Sequence, residues 1–218
     1  MTRLVKETLI FITPVLMAVG CRSTARLEYF LIQPVDRIER AERSSPYTLR
    51  VRPVKAPDRY RERIVYRLDE HRMGFYESSR WIEDPTQMVA AVLVETLRQR
   101  GFFARVATDA ALPRADLTLD TTILSFEQVV DGDRLIAECA LAFELTGKDD
   151  NALIWSGEGR AGVPQKDKGR FAAAMEEAAN RAVAQAIVKM EAALNAAPEI
   201  PKEESREIRE KEAGEGSR

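Results

Sequence analysis

The stretch from Ala115 to Val163 constrains the fold more than any other part of the chain. ADLTLDTTILSFEQVV alternates, with Leu117, Leu119, Thr121 and Ile123 on one side. Asp131-Gly132 follows, a pair that favours the positive φ values of a tight hairpin. The return segment LIAECALAFEL places Leu135, Ala137, Cys139, Leu141, Phe143 and Leu145 on one face. Gly147 with Lys148, Asp149, Asp150 and Asn151 marks a second turn, and ALIWSGEGRAGV resumes the alternation with Leu153 and Trp155 sharing a side. A period of two over three consecutive segments joined by turns predicts a three-stranded antiparallel meander over residues 116–163. One face of such a sheet needs a cover.

Two helices are predicted to supply it. Asp84-Pro85-Thr86-Gln87 is a helix start, with Asp84 as cap, Pro85 at the first helical position and Gln87 completing a capping box. Met88, Val89, Val92, Leu93, Thr96 and Leu97 form one apolar stripe, and Gly101 after Arg98 and Arg100 is the stop. The second helix carries Phe171, Met175, Ala178, Ala179, Ala182, Val183, Ala186, Ile187, Met190 and Leu194 on one stripe. Its alanines predict close approach to a sheet. Upstream, YTLRVRPVKA alternates Leu49, Val51 and Pro53 against Arg50, Arg52 and Lys55, and RIVYRL (63–68) and FFARVA (from Phe102) read as further strands. The expected fold is one α+β domain over residues 46–195, a two-layer sandwich with an antiparallel-rich sheet and two main helices packed on one face.

The ends differ from this body. Arg3 and Lys6 precede an apolar stretch from Thr8 to Val19 that is interrupted by Pro14. It is shorter than the ~20 residues a spanning helix needs and has the length of the apolar part of an export signal. Ala18-Val19-Gly20-Cys21 then has the form of a lipobox, in which a small residue precedes a cysteine that receives diacylglycerol. The competing reading is an ordinary secretory signal with an incidental cysteine. On the first reading residues 1–20 are removed and Cys21 carries a covalent lipid. Each buried methylene contributes ~0.8 kcal/mol, so several acyl chains anchor a protein stably. Arg22 stands where an aspartate would mark inner-membrane retention, which favours the outer membrane.

Residues 21–45 read as a lipidated N-terminus and tether, with RLEYFLIQP (26–34) offering an edge strand and VDRIERAERSS (35–45) a charged linker. Residues 196–218 read as a disordered tail, because 12 of the 21 residues from Pro198 onward are charged, with both signs mixed. The formal net charge of −2 becomes −3 once Arg3, Lys6 and Glu7 leave with the signal, a balance that gives no basis for nucleic-acid binding.

Catalytic and metal-binding readings find little support. His71 is the single histidine, and metal sites need several ligands. Cys139 is the one cysteine besides Cys21 and falls on an apolar face, so no disulfide framework is expected. Ser78 and Ser79 have no GxSxG setting. GEGRAG (157–162) lies inside an alternating strand, not between a strand and a helix, as a phosphate loop would require. No catalytic residue, metal or dissociable cofactor is expected. What stands out instead is GFYESSRW (74–81), which concentrates Phe75, Tyr76, Arg80 and Trp81 ahead of the capped helix. Aromatic and arginine side chains are favoured at interface centres, so these four are candidates for partner docking. The competing reading makes the aromatics core anchors.

The segments YTLRVRPVKAPDRY, RIVYRL, MGFYESSRWIEDPTQMV and LVETLRQRGFF, behind the lipobox, resemble the ABC-type transport auxiliary lipoprotein family, the family of paraquat-inducible protein C. The resemblance covers about residues 21–195. It implies a non-enzymatic envelope lipoprotein that works beside ABC transporters whose periplasmic subunits carry mammalian-cell-entry domains. Such systems move phospholipids or other hydrophobic molecules between membranes. The expectation is an outer-membrane lipoprotein on the periplasmic face that docks the mammalian-cell-entry subunit, with a homo-oligomer left open. Two alternatives stay open: a periplasmic module that itself binds lipid, and a regulatory lipoprotein of a cell-wall synthase.

Overall fold

The computed structural model describes residues 26–108, 111, 114–148, 152–165 and 168–196. These form a mixed eight-stranded sheet with two helices packed on it, an α+β fold. The strands are β1 (Glu28–Phe30), β2 (Ser45–Val51), β3 (Arg63–Arg67), β4 (Met73–Trp81), β5 (Phe103–Thr108), β6 (Leu117–Asp131), β7 (Arg134–Gly147) and β8 (Leu153–Gln165). The helices are α1 (Pro85–Arg100) and α2 (Phe171–Ala196).

The meander is present as β6-β7-β8. Asp131 pairs with Arg134 across a turn whose Gly132 has φ 59°. Leu117, Leu119, Thr121 and Ile123 are buried on the helix side. A strict period of two would carry that face on to Ser125 and Glu127. The ladder instead shifts register between Ile123 and Ser125, and Phe126 and Gln128 then lie opposite Cys139 and Ala137. This bulge keeps an aromatic in the core and turns Glu127 to the helix-free side.

The other edge of β6 holds two strands placed end to end. β2 runs parallel to its start, with Leu49 opposite Leu117, and β3 runs parallel to its end, with Val65 opposite Glu127. Between them Lys55 bridges to Thr122. β5 extends the sheet beyond β2, while β4 pairs antiparallel with β3 and β1 closes that side in parallel with β4. The long ladders are antiparallel and the short flanking ones are mostly parallel.

Asp84 caps α1: its carboxylate accepts from the Thr86 N–H at 2.9 Å and the Thr86 hydroxyl at 2.7 Å. Gly101 ends the helix in the left-handed region at φ 64°. Asp84→Ala should lower stability by about 1 kcal/mol, the ordinary cost of a lost cap, read as a lower denaturation midpoint with an unchanged slope. α2 buries Ala178, Ala179, Ala182 and Ala186 against β7 and β8. The close approach has a cause in the strand. A Cβ on Gly159 would overlap the Ala182 carbonyl, so the middle glycine of GEGRAG seats a helix rather than a phosphate. Arg100 of α1 donates from Nε to Glu191 Oε1 of α2 at 3.0 Å and from Nη2 to Oε2, and this bidentate pair holds the guanidinium above its usual pKa.

The segment expected to act as a tether is laid onto the body from Glu28 onward. Ile32 is buried. Gln33 N–H donates to Glu176 at 2.8 Å, and Asn180 of α2 donates to the Gln33 carbonyl at 3.0 Å and accepts from the Val35 N–H at 3.2 Å. Ala41 N–H reaches the Arg100 carbonyl at 2.8 Å, and Arg100 Nη1 reaches the Glu39 carbonyl at 2.9 Å. The segment has no hydrophobic period because distant polar side chains capture its backbone, and such contacts leave no local signature. The signal, Cys21 and the charged tail from residue 197 lie outside the described residues.

Candidate docking face and cleft at the sheet edge

β4 sorts GFYESSRW between the two faces of the sheet. Trp81 is 2 % exposed and stacks against Phe126 at 5.2 Å and Phe171 at 5.7 Å. It joins β4, β6 and the start of α2. Of the four candidate docking residues, Trp81 is therefore a core residue: it stands six positions after Phe75, and the register shift in the β3–β4 ladder between them changes the phase of β4 and turns Trp81 under the helix layer.

Tyr76 also faces the helix side. Its ring lies 5.1 Å from Tyr66, and its hydroxyl donates to Gln128 Oε1. Burial raises its pKa. Arg80 points to the other face but spends donors locally: Nη1 reaches the Tyr76 carbonyl at 2.7 Å and the Ser79 carbonyl at 2.8 Å. The β3–β4 ladder shifts register in this stretch, and Arg80 satisfies carbonyls there.

Phe75 is the most exposed of the four, at 37 %, with Tyr76 and Arg80 partly buried. The Arg63 guanidinium lies over its ring, 4.2 Å from the centroid. Among the described residues no carboxylate forms an ion pair with Arg63. Register extends this surface. Arg63 pairs with Arg80, and Arg80 pairs with Tyr29 of β1, which is 59 % exposed. Paired residues share a face, so Tyr29, Arg80, Arg63 and Phe75 form one strip on the side of the sheet that carries no helix. Ile82, just past β4, adds an apolar side chain at 61 % exposure.

Further along the same face the charges are already paired. Glu127 is buried and accepts from the Tyr60 hydroxyl at 2.7 Å and from Arg67 Nε at 2.5 Å. Arg67 also reaches Glu138 at 3.3 Å, where Ser125 and Arg160 donate at 2.9 and 3.4 Å. Tyr60 is pushed up to about 12 by burial and by its bond to Glu127. This network clamps the excursion between β2 and β3 onto the sheet. Arg52 and Lys55 likewise both pair with Asp120 at 3.1 Å.

On the helix side, a cleft of about 310 Å³ opens between β1, β4 and the start of α2. Phe30, Ile64 and Phe171 give it apolar walls, Ser78 and Ser79 line it, and Gln128 is part of its lining. Gln128 is 0 % exposed, and its Nε2 has no hydrogen-bond partner. An unmet buried donor costs about 1–3 kcal/mol.

Residues that invite catalytic readings stand apart. His71 is exposed in the β3–β4 turn, where its N–H and that of Arg72 donate to Asp69 Oδ1 at 3.0 and 2.9 Å. Those bonds, with the Arg72 side chain, hold Asp69 below the usual carboxylate range. Cys139 is buried and its thiol pKa is raised by desolvation. Among the described residues no group of His, Cys, Asp and Glu could hold a metal ion, and no helix is long and apolar enough to cross a membrane.

Gln128, Arg63 and Tyr29 were not among the sequence candidates. Gln128 sits in core phase only because of the β6 bulge, which the pattern does not announce. Arg63 and Tyr29 gain their place from pairing across β4, and pairing is not encoded in either segment alone.

The fold is an α+β module, a mixed sheet with two helices on one face and an exposed aromatic–arginine strip on the other. The chain belongs to the ABC-type transport auxiliary lipoprotein component family, whose model matches residues 29–190. Solved structures share the fold. Protein XCC0632 from Xanthomonas campestris is 20 % identical, with 76 % of this chain and 95 % of that one covered and a TM-score of 0.68. An uncharacterized protein is 16 % identical over 76 % of this chain and 99 % of its own, with a TM-score of 0.58. Hypothetical protein CT253 from Chlamydia trachomatis is 11 % identical over 70 % of this chain and 100 % of its own, with a TM-score of 0.50. No protein of curated function matches significantly.

Proposed function

We propose that this protein is a non-enzymatic outer-membrane lipoprotein, lipidated at Cys21, that faces the periplasm and docks the mammalian-cell-entry subunit of an ABC-type intermembrane lipid transport system. The family match supports the association with ABC transport. The observation that carries the docking role is the strip of Tyr29, Arg63 and Phe75. It combines exposed aromatic area with a stacked guanidinium that has no carboxylate of its own among the described residues. That composition suits the centre of an interface. The acyl chains at Cys21 supply attachment, and the α+β body supplies the contact.

A photo-crosslinking residue placed at Phe75 in the full chain, in intact cells, should capture the mammalian-cell-entry subunit. The same residue at Leu153, which is exposed on the far edge strand, should not. Equal capture from both positions, or capture of a cell-wall synthase from position 75, would overturn the reading. Cys21→Ala should remove labelling of the protein by an alkyne-tagged fatty acid supplied to the cells. Labelling that persists would sink the anchor.

A further inference from the structure

We infer that the cleft between β1, β4 and the start of α2 binds the acyl end of a single-chain amphiphile carrying an ester group, with the acyl carbonyl oxygen on Gln128 Nε2. Three observations converge on it. The first is the amide. Gln128 is fully buried, lines the cleft, and uses its Oε1 to accept from Tyr76, which leaves Nε2 a donor with no partner. Buried donors are nearly always paired, so an unpaired one on a side chain of the cleft wall, which a small shift of that wall would uncover, calls for an acceptor from outside the chain.

The second is the wall. Phe30, Ile64 and Phe171 offer apolar surface beside that donor, which suits a hydrocarbon chain next to a carbonyl. Gly169, in the 3-10 turn Lys168–Arg170 that leads into α2, adds a small residue to the same wall and leaves room for the chain. The third is size. About 310 Å³ is at the lower end of ligand sites, roughly 300–1,000 Å³, and accommodates one chain rather than a diacyl lipid.

Glu28 sets the charge preference. It is exposed on the lip of the cleft and is the acidic side chain in its lining. A free carboxylate meets repulsion there and an uncharged ester does not. The site is therefore assigned to an acyl ester over a fatty-acid anion. The inference is independent of the docking strip, which lies on the opposite face of the sheet, and its test needs no transporter.

The full chain, purified in a volatile detergent and freed of it in a native mass spectrometer, is titrated with monodecanoin and with decanoate. Monodecanoin should saturate at one molecule per chain and bind more tightly than decanoate. Hydrogen exchange should slow in peptides covering β1, residues 76–79 and the start of α2. Ser79→Trp, which fills the cleft from β4, should abolish the adduct. Gln128→Met, close in shape but without a donor, should weaken it about ten-fold, the equivalent of one lost hydrogen bond. Glu28→Gln should narrow the gap between the two probes. Adducts that never saturate, or that Ser79→Trp leaves intact, overturn the site. A cleft blocked by Ser79→Trp but indifferent to Gln128→Met overturns the carbonyl assignment, and tighter binding of decanoate overturns the ester preference. If Gln128→Met fails to fold, the Ser79→Trp and exchange results still decide whether the cleft is occupied.

Discussion

Gly159→Val should leave little or no folded protein. Gly159 is in the middle of β8, on the face that carries α2, and a Cβ there would fall inside the carbonyl of Ala182 and within 3.2 Å of the Ala186 Cβ. The obstacle is helix backbone, so no rotamer change relieves it. α2 would have to lift, and lifting it uncovers Ala178, Ala179, Ala182, Val183 and Ala186, all buried. Overpacking costs typically 1–3 kcal/mol where side chains can adjust. With backbone as the obstacle, a loss above ~3 kcal/mol is expected, a large share of the ~5–15 kcal/mol that holds a domain together. Gly162→Ala is the matched control. Its added Cβ meets only the Ile136 Cγ2 at 3.2 Å, a side-chain end that can shift. Chemical denaturation of both variants decides the point. A Gly159→Val midpoint equal to that of Gly162→Ala would show that the helix seat tolerates separation.

That same glycine shows where the sequence is legible and where it is not. The strand assignment of residues 153–163 follows from alternation, and it already removes a phosphate-loop reading of GEGRAG. The alanine stripe of α2 announces a close approach. What the sequence does not contain is which residue receives Ala182, because that depends on a contact between elements distant in the chain. The capped start of α1 was legible for the opposite reason: Asp84, Pro85 and Gly101 act within a few residues of themselves. The parallel pairings of β2 and β3 along one edge of β6 belong with the hidden features. Each strand is readable alone, but the Lys55–Thr122 bridge that aligns them is not.

The two faces of the sheet divide the labour, and the division explains why the site was only partly visible. The helix side holds the core and, at its β1–β4 end, the cleft with Gln128. The other side is polar and largely self-paired, from Arg52 and Lys55 on Asp120 to Arg67 on Glu127. The more exposed of these, Arg52 and Lys55 on Asp120, contribute little each, about 0–1 kcal/mol, but together the pairs leave few charges seeking partners. Arg63 departs from that pattern by stacking on Phe75. A stripe of arginines in the sequence reads as a solvated face, and only the three-dimensional partners separate Arg67, held by carboxylates, from Arg63, stacked on a ring.

The contrast between Trp81 and Phe75 tests that division directly. Trp81→Ala removes a buried ring that touches Phe126 and Phe171, so it opens a cavity at the junction of β4, β6 and α2. The expected loss is about 3–5 kcal/mol, the ordinary range for deleting a buried large aromatic. Any loss of partner capture in this variant would follow from unfolding. Phe75→Ala removes a ring that stacks on the Arg63 guanidinium, stands opposite Val65 and already meets water, so the stability loss should be about 1–2 kcal/mol, well below that of Trp81→Ala. Truncating a central aromatic anchor commonly costs ~2 kcal/mol or more of binding, a thirty-fold loss of affinity at about that figure. Arg63→Ala should behave like Phe75→Ala, and the double variant should lose little beyond either single one, since the two side chains act as one unit. Denaturation midpoints and capture of the mammalian-cell-entry subunit, measured on the same variants, separate the roles. If Phe75→Ala lowers the midpoint as far as Trp81→Ala does, the ring is a core element and docking must reside elsewhere on the molecule. If it folds normally and still captures the subunit in full, the strip is not the interface.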